Sequence, residues 1–283
     1  DHIKSTQMTA FMNRIAIDYN IHLESYEDLQ QWALKNLSDF WTTFSQFSNL
    51  IGDFSGPALM DDDDIEKAQF FPHARLNYTE NLLQRSGPQE ALIFWGENRI
   101  KRTLSWDMLK AEVSRFAQAL QREGIQSGDR IVGFVPNTPE AVIAALATAS
   151  LGAIWSSCSP DFGVQGVLDR FQQIEPKILI AAQGYFYNGK EFSCLEKLKE
   201  ITACLPTLKK TIIYEYTDAV PAPLPITHFT TWENFVGPET PQEITYTRLP
   251  FNHPLFIMFS SGTTGKPKCI VHGAGGTLIQ HKK

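Results

Sequence analysis

Cysteine is scarce: Cys158, Cys194, Cys204 and Cys269 are the only four in 283 residues, with no CxxC pair and no His/Cys metal spacing. That excludes a disulfide scaffold and a zinc module, and it suits a reducing cytoplasm. Long apolar runs are missing as well. The longest, residues 141–155, is interrupted by Thr148, Ser150 and Gly152, short of the about 20 apolar residues a membrane span needs. The opening DHIKSTQMTAFMNRIAIDYN is broken by polar and charged residues, unlike a secretory signal. Positive charge is in deficit, with 25 Lys+Arg against 31 Asp+Glu and a net charge of −6. A non-specific nucleic-acid binder needs a basic face, so that class is excluded too. The clusters Arg99, Lys101, Arg102 and Lys209, Lys210 are short and read as solvated edges. Neither GxSxG nor HExxH occurs, which removes support for common hydrolase chemistries. The expectation is a cytoplasmic protein with no membrane and no nucleic-acid partner.

What is present is enough apolar material for a large core: 43% of residues are hydrophobic, and a chain of this length buries about three quarters of its unfolded surface. Residues 1–85 and 86–283 read as different regions. In the first, Phe11, Ile15, Tyr19 and then Leu29, Trp32, Ala33, Leu37, Phe40, Trp41 and Phe44 recur at helical spacing. Ser25 with Asp28 can cap the second helix. The run Asp61–Asp64 lacks EF-hand spacing and reads as a solvated loop or helix start.

From residue 86 strands and helices alternate. Residues 91–95 and 99–105 predict a hairpin, and Ser105 caps a helix over 106–122. RIVGFV at 130–135 is a buried strand, and Thr138-Pro139-Glu140 starts a helix that is apolar nearly all round. Strands at 153–157, 178–182 and 211–216 alternate with helices at 164–174 and 193–205. The predicted fold is α/β: a helical N-terminal arm followed by a doubly wound, largely parallel sheet.

The chemistry concentrates in one loop. Two apolar runs, 255–259 and 269–272, flank Ser260-Ser261-Gly262-Thr263-Thr264-Gly265-Lys266-Pro267-Lys268. Glycines let backbone N–H groups approach an anion, hydroxyls add donors, and lysines add charge. A polyphosphate suits that combination, although composition alone also allows a simple hairpin tip. The loop is no Walker A, because Ser260 stands where the first glycine belongs and Pro267 follows Lys266. Gly273-Ala274-Gly275-Gly276 fails the GxGxxG fingerprint at Leu278.

SSGTTGKPK resembles the phosphate-loop signature of the adenylate-forming acyl-CoA synthetase superfamily. The resemblance extends upstream over most of residues 30–283. Leu76-Asn77-Tyr78-Thr79-Glu80-Asn81, Ser127-Gly128-Asp129-Arg130 and Pro136-Asn137-Thr138-Pro139-Glu140 resemble its acetyl- and acetoacetyl-CoA synthetase branch. The stretch from Gly152 to Gly163, the run Asp169-Arg170-Phe171 with Ile174-Glu175-Pro176-Lys177, and Tyr187-Asn188-Gly189-Lys190 resemble the acetoacetate-activating members. Cys269 replaces a glycine common elsewhere in the family.

The resemblance implies a ligase that uses ATP with Mg²⁺ to convert acetoacetate to acetoacetyl-adenylate and pyrophosphate, and then makes the thioester with CoA. Carried over, Ser260, Ser261, Gly262, Thr263, Thr264, Gly265 and Lys266 hold the ATP phosphates, with Lys268 in support. Lys190 is the candidate for the CoA 3′-phosphate, a solvated loop lysine being the plain alternative. Trp155, beside an apolar helix, reads first as core and second as a wall of the acid pocket. Asp169 and Arg170 can pair on a helix surface. Cys158 and Cys269 read as small packing residues. The motifs for adenine, ribose and the catalytic lysine are absent, so these residues are expected to be the N-terminal part of a longer enzyme, inactive alone and without a catalytic residue or metal ligand. A synthetase for acetate or propionate and a non-catalytic nucleotide-binding module stay open beside this reading.

Overall fold

A computed structural model describes residues 3–61, 63–97, 99–217, 226, 228–261 and 265–283. The chain divides into two compact units, one of residues 1–76, 248–252 and 275–283, the other of residues 77–247 and 253–274.

The first unit opens on three helices, α1 (Gln7–Tyr19), α2 (Tyr26–Lys35) and α3 (Leu37–Phe47). Thr6 caps α1, and Ser25 with Asp28 forms the capping box anticipated for α2. The helical spacing puts aromatic rings on facing sides. Phe11 meets Phe40, Phe44 and Phe47 with ring centroids 5.6, 5.9 and 5.1 Å apart, and Ile15 and Leu29 complete that small core. Residues 52–53, 75–76 and 249–250 form a three-stranded antiparallel sheet. The acidic run is a turn rather than a helix start. Asp64 accepts from the Glu66 N–H and pairs with Lys67 at 2.8 Å. Asp62 lies outside the described residues.

The second unit is built on a seven-stranded sheet. Its strands in chain order are β1 (Arg130–Phe134), β2 (Ile154–Cys158), β3 (Ile178–Ala182), β4 (Lys210–Tyr214), β5 (Phe229–Thr231), β6 (Pro254–Phe259) and β7 (Cys269–Gly273). Their spatial order is 5-4-3-1-2-6-7, all parallel except the final antiparallel β6–β7 pair. The connecting helices are α4 (Trp106–Arg122), α5 (Pro139–Ser150), α6 (Val164–Phe171) and α7 (Leu195–Ala203). Parallel strands covered on both faces must be apolar throughout, and every residue of β3 is fully buried. Val132, Phe134, Leu179 and Ala181 share one core with Val167, Phe171, Leu198 and Ile201 from α6 and α7. The apolar α5 is largely buried, as its composition requires.

Boundaries fall within a few residues of expectation, and the 106–122 helix and the 178–182 strand coincide with it. The β hairpin expected near 91–105 pairs Glu90–Gly96 with Ile100–Ser105. A second hairpin, Gly184–Tyr187 with Lys190–Ser193, was not anticipated as strands. Its turn residues Asn188 and Gly189 have φ of 50° and 74°, the left-handed pair that an Asn-Gly hairpin turn requires.

The winding order sets where a site can form. From β1 the chain steps to β2 on one side, then returns past β1 to β3, β4 and β5 on the other. Ligands in open α/β sheets bind beyond the carboxyl ends of strands near such a reversal. Strand β6 runs parallel to β2, so the loop after Phe259 leaves from that same carboxyl edge.

Candidate nucleotide-phosphate site

The loop of interest joins β6 to β7 and is closed at its base by two reciprocal bonds. The Ser260 N–H donates to the Lys268 carbonyl at 3.0 Å, and the Lys268 N–H donates to Ser260 Oγ at 3.0 Å. Ser260 is half-buried, whereas Ser261, Gly265, Lys266 and Lys268 are exposed and Pro267 is buried. Gly265 has φ of +144°, a conformation L side chains rarely adopt. Gly262, Thr263 and Thr264 lie outside the described residues. The described part therefore offers a serine hydroxyl, a glycine and two lysines to solvent at the carboxyl edge of the sheet.

Helix α6 reaches the base of this loop. Gln173, in the turn after α6, donates from Nε2 to the Asp169 carbonyl at 2.6 Å and to the Pro267 carbonyl at 2.8 Å. Arg170 lies over the Phe162 ring at 4.7 Å and over the Phe259 ring at 5.7 Å. Phe259 is the residue immediately before Ser260. The expected Asp169–Arg170 pair is not formed: Asp169 accepts from Gln165 Nε2, and Arg170 Nη1 donates to the Gly166 carbonyl. A guanidinium flanked by two rings gains from their π faces what a surface carboxylate would supply. The position of Gln173 carried no sequence signal, because its partner lies 94 residues away.

Lys190 stands apart from this loop, exposed at the start of the second hairpin strand and paired in register with Tyr187. The hairpin turn is held by Glu97, which accepts from the Asn188 and Gly189 N–H groups at 2.7 and 2.8 Å. Arg99 Nη2 donates to the Gly189 carbonyl at 2.8 Å. Arg99, one of the basic residues that read as a solvated edge, thus joins Glu97 in fixing the hairpin that carries Lys190.

Trp155 is the second residue of β2, in register with Ile131 of β1 and Phe256 of β6. Only 7% of its surface is exposed. A Cβ placed on Gly133 would lie 2.8 Å from the Trp155 ring, so the indole occupies space that only a glycine leaves open. Neighbouring Ser156 is also buried and donates to the Ile257 carbonyl at 2.7 Å, tying β2 to β6.

The cysteines divide by position. Burial pushes the Cys158 and Cys194 thiols up to about 12, against a small opposing effect of Arg170 and Lys197 respectively. Neither is a nucleophile at neutral pH. Cys269 is exposed on β7, with Sγ 3.6 Å from Gln173 Oε1; the packing role expected for it is not what the structure assigns. Among the described residues no group of three or more His, Cys, Asp or Glu could hold a metal ion. No helix among them is long and apolar enough to cross a membrane.

Comparison with known proteins places these features in a wider frame. Residues 80–282 match the family described as AMP-binding enzyme. The acetoacetyl-coenzyme A synthetase of Rhizobium meliloti (strain 1021) is 44% identical over 99% of this chain and 43% of its own length. That of Macaca fascicularis is 42% identical over the whole chain and 44% of its own length. The solved acetoacetyl-CoA synthetase from Streptomyces lividans superposes with a TM-score of 0.91 at 35% identity, covering 99% of this chain and 43% of that one. The chain thus spans less than half the length of the relatives it matches.

Proposed function

The chain belongs to the AMP-binding enzyme family, and on that premise we propose that it serves, within a longer protein, an AMP-forming acetoacetate–CoA ligase. The observation that carries the reading is the donor-rich Ser260–Lys268 loop, set at the carboxyl edge of a reversing parallel sheet. The similarity to acetoacetyl-CoA synthetases along the whole chain supports the choice of acid.

A carboxylate resists attack by a thiol because its oxygen is a poor leaving group. Adenylation removes that obstacle. An acetoacetate oxygen attacks the α-phosphorus of ATP, and pyrophosphate leaves. The CoA sulfur then attacks the acyl carbon, AMP leaves, and the thiol proton is released. Ser260, Ser261, Gly262, Thr263, Thr264, Gly265 and Lys266 hold the β and γ phosphates, where donors and one positive charge offset the charge that pyrophosphate carries away. Mg²⁺ would travel with the nucleotide; the described residues provide no carboxylate cage for it.

Lys190 takes the CoA 3′-phosphate as an exposed cation on a hairpin pinned by Glu97 and Arg99. Trp155 shapes the acid-binding side of β2 through packing, since its buried ring fills the space that Gly133 leaves open on β1. The helical stretch 1–85 stands ahead of the first part of the AMP-binding domain, 86–283.

The test is acetoacetate-dependent ATP–pyrophosphate exchange by the full-length protein and by residues 1–283. Exchange in the long form and none in the short is the expected result. Faster exchange with acetate or propionate than with acetoacetate would move the assignment to another short acid. A folded full-length protein that exchanges with no short acid would leave a non-catalytic nucleotide-binding module.

A further inference from the structure

We propose that the end of α6 anchors the phosphate loop, with Gln173 and Arg170 as its positioning residues. Gln173 holds the arm on which the loop returns, and Arg170 holds the arm from which it departs. The inference rests on the phosphate-binding role given to the loop above, and it concerns residues that touch no phosphate themselves.

The geometry is economical. A glutamine amide has two N–H donors, and both are engaged here: one satisfies the Asp169 carbonyl near the end of α6, and the other crosses to the Pro267 carbonyl. Proline has a fixed φ and no N–H, so the Pro267 carbonyl is the only backbone hydrogen-bonding group at that buried position. Holding it places Lys266, one residue earlier, and the Lys268 N–H, one residue later, which in turn reaches Ser260 Oγ. On the departing arm, Arg170 has no ion pair among the described residues, and its guanidinium lies over both Phe162 and Phe259. Phe162 is fixed from the other side, because Lys197 Nζ donates to the Pro160 and Phe162 carbonyls at 3.1 and 3.2 Å. The rings of Phe162 and Phe259 and the cation of Arg170 therefore set where Ser260 starts.

This arrangement matters because β7 is an edge strand whose one sheet partner among the described residues is β6, and residues 265–268 lie before that ladder begins. Its residues are exposed on both faces except the half-buried Gly273, so burial gives it little orientation. Catalysis by positioned donors tolerates little displacement: a shift of about 1 Å can cost on the order of 10²-fold in rate.

The experiment uses the full-length protein with Gln173→Met, which keeps length without donors, and Gln173→Glu, which keeps length and polarity but cannot donate when ionised. Two quantities are read: the KM for ATP in pyrophosphate exchange, and amide hydrogen exchange of residues 265–273 without substrate. Both variants should raise the KM for ATP about tenfold, leave the KM for acetoacetate unchanged, and speed amide exchange across 265–273 at least severalfold. Gln165→Met, on the same helix but with its side-chain amide bonded to the Asp169 side chain, should change neither. Arg170→Leu should behave like the Gln173 variants, with Arg170→Lys recovering part of the loss because it keeps a cation at the rings.

Wild-type KM for ATP, or wild-type protection of 265–273, in Gln173→Met overturns the proposal. Protection lost equally across β1–β4 also overturns it, as that is general destabilisation. If amide exchange responds as expected while the unaltered full-length protein shows no acetoacetate-dependent exchange, the anchor stands and the ligase reading fails.

Discussion

Strands β3 and β7 belong to one sheet and are each five residues long, yet they are held in place by different forces. All five residues of β3 are fully buried, and its neighbours on both sides are parallel strands. In β7, Ile270 is 45% and Val271 57% exposed, and the strand has one partner, antiparallel β6. Transfer of apolar surface from water fixes the first; the ladder to β6 holds the second, and directed bonds of Gln173 and Ser260 hold Pro267 and Lys268, which lead into it. Burial is strong but indifferent to direction, so it makes a scaffold. Hydrogen bonds are weaker and directional, so they can aim a loop without locking it in a core. The candidate site lies where the first force gives way to the second.

The comparison can be broken most severely at β3. Leu179→Ala, in the fully buried strand, should lower stability by about 2–5 kcal/mol, measured by urea unfolding. At the loop, the effect should appear in chemistry rather than in stability. Lys266→Ala in the full-length protein should cut acetoacetate-dependent exchange on the order of 10²-fold with an unchanged melting temperature. A drop in melting temperature instead would assign Lys266 to the scaffold.

Gly133→Ala probes the interior from the side of overpacking. The added methyl meets the Trp155 ring at 2.8 Å, and a loss of about 1–3 kcal/mol should follow. Gly133→Ala with Trp155→Phe should recover part of it.

Alkaline pH separates the two environments without mutation. The thiols of Cys158 and Cys194 ordinarily ionise near 9.0, and burial holds them protonated to about 12 in the folded state. Between those values the unfolded chain binds fewer protons than the folded one, so stability should fall as pH rises from about 9 to about 12. The check is urea unfolding across that range, with Cys158→Ala flattening the slope. Thiol labelling at pH 8 should meanwhile reach exposed Cys204 and Cys269 well before the buried pair. The smallest effect belongs to the edge: Ile270→Thr should change stability by no more than about 0.5 kcal/mol.

Much of the fold was legible because its signals are local. Ser105 caps α4 through the Met108 N–H, and Ser25 with Asp28 closes the box on α2. The short all-apolar run at 178–182, just after Glu175-Pro176, reads as a strand covered on both faces. The 184–193 hairpin was missed although its Asn-Gly turn is a local signal, because the short strands flanking it carry little apolar alternation. The three-stranded sheet of 52–53, 75–76 and 249–250 was hidden for a different reason: its last strand arrives more than 170 residues after the others.

The site shows the same division. The hydroxyls, glycines and lysines of 260–268 suit a polyphosphate by composition, since a crowded anion needs dense donors and little bulk, but the likeness of the string SSGTTGKPK to the family signature is what separates the loop from a simple hairpin tip. The sequence by itself therefore determined the layered α/β pattern, the caps, and which loop is the candidate site. Only the tertiary structure decided that Arg170 stacks on aromatic rings rather than pairing with Asp169, that Trp155 spends its ring against Gly133, and that Gln173 grips Pro267. Each of those depends on which strand lies beside which, and that order follows from burying the whole sheet at once rather than from any short run of residues.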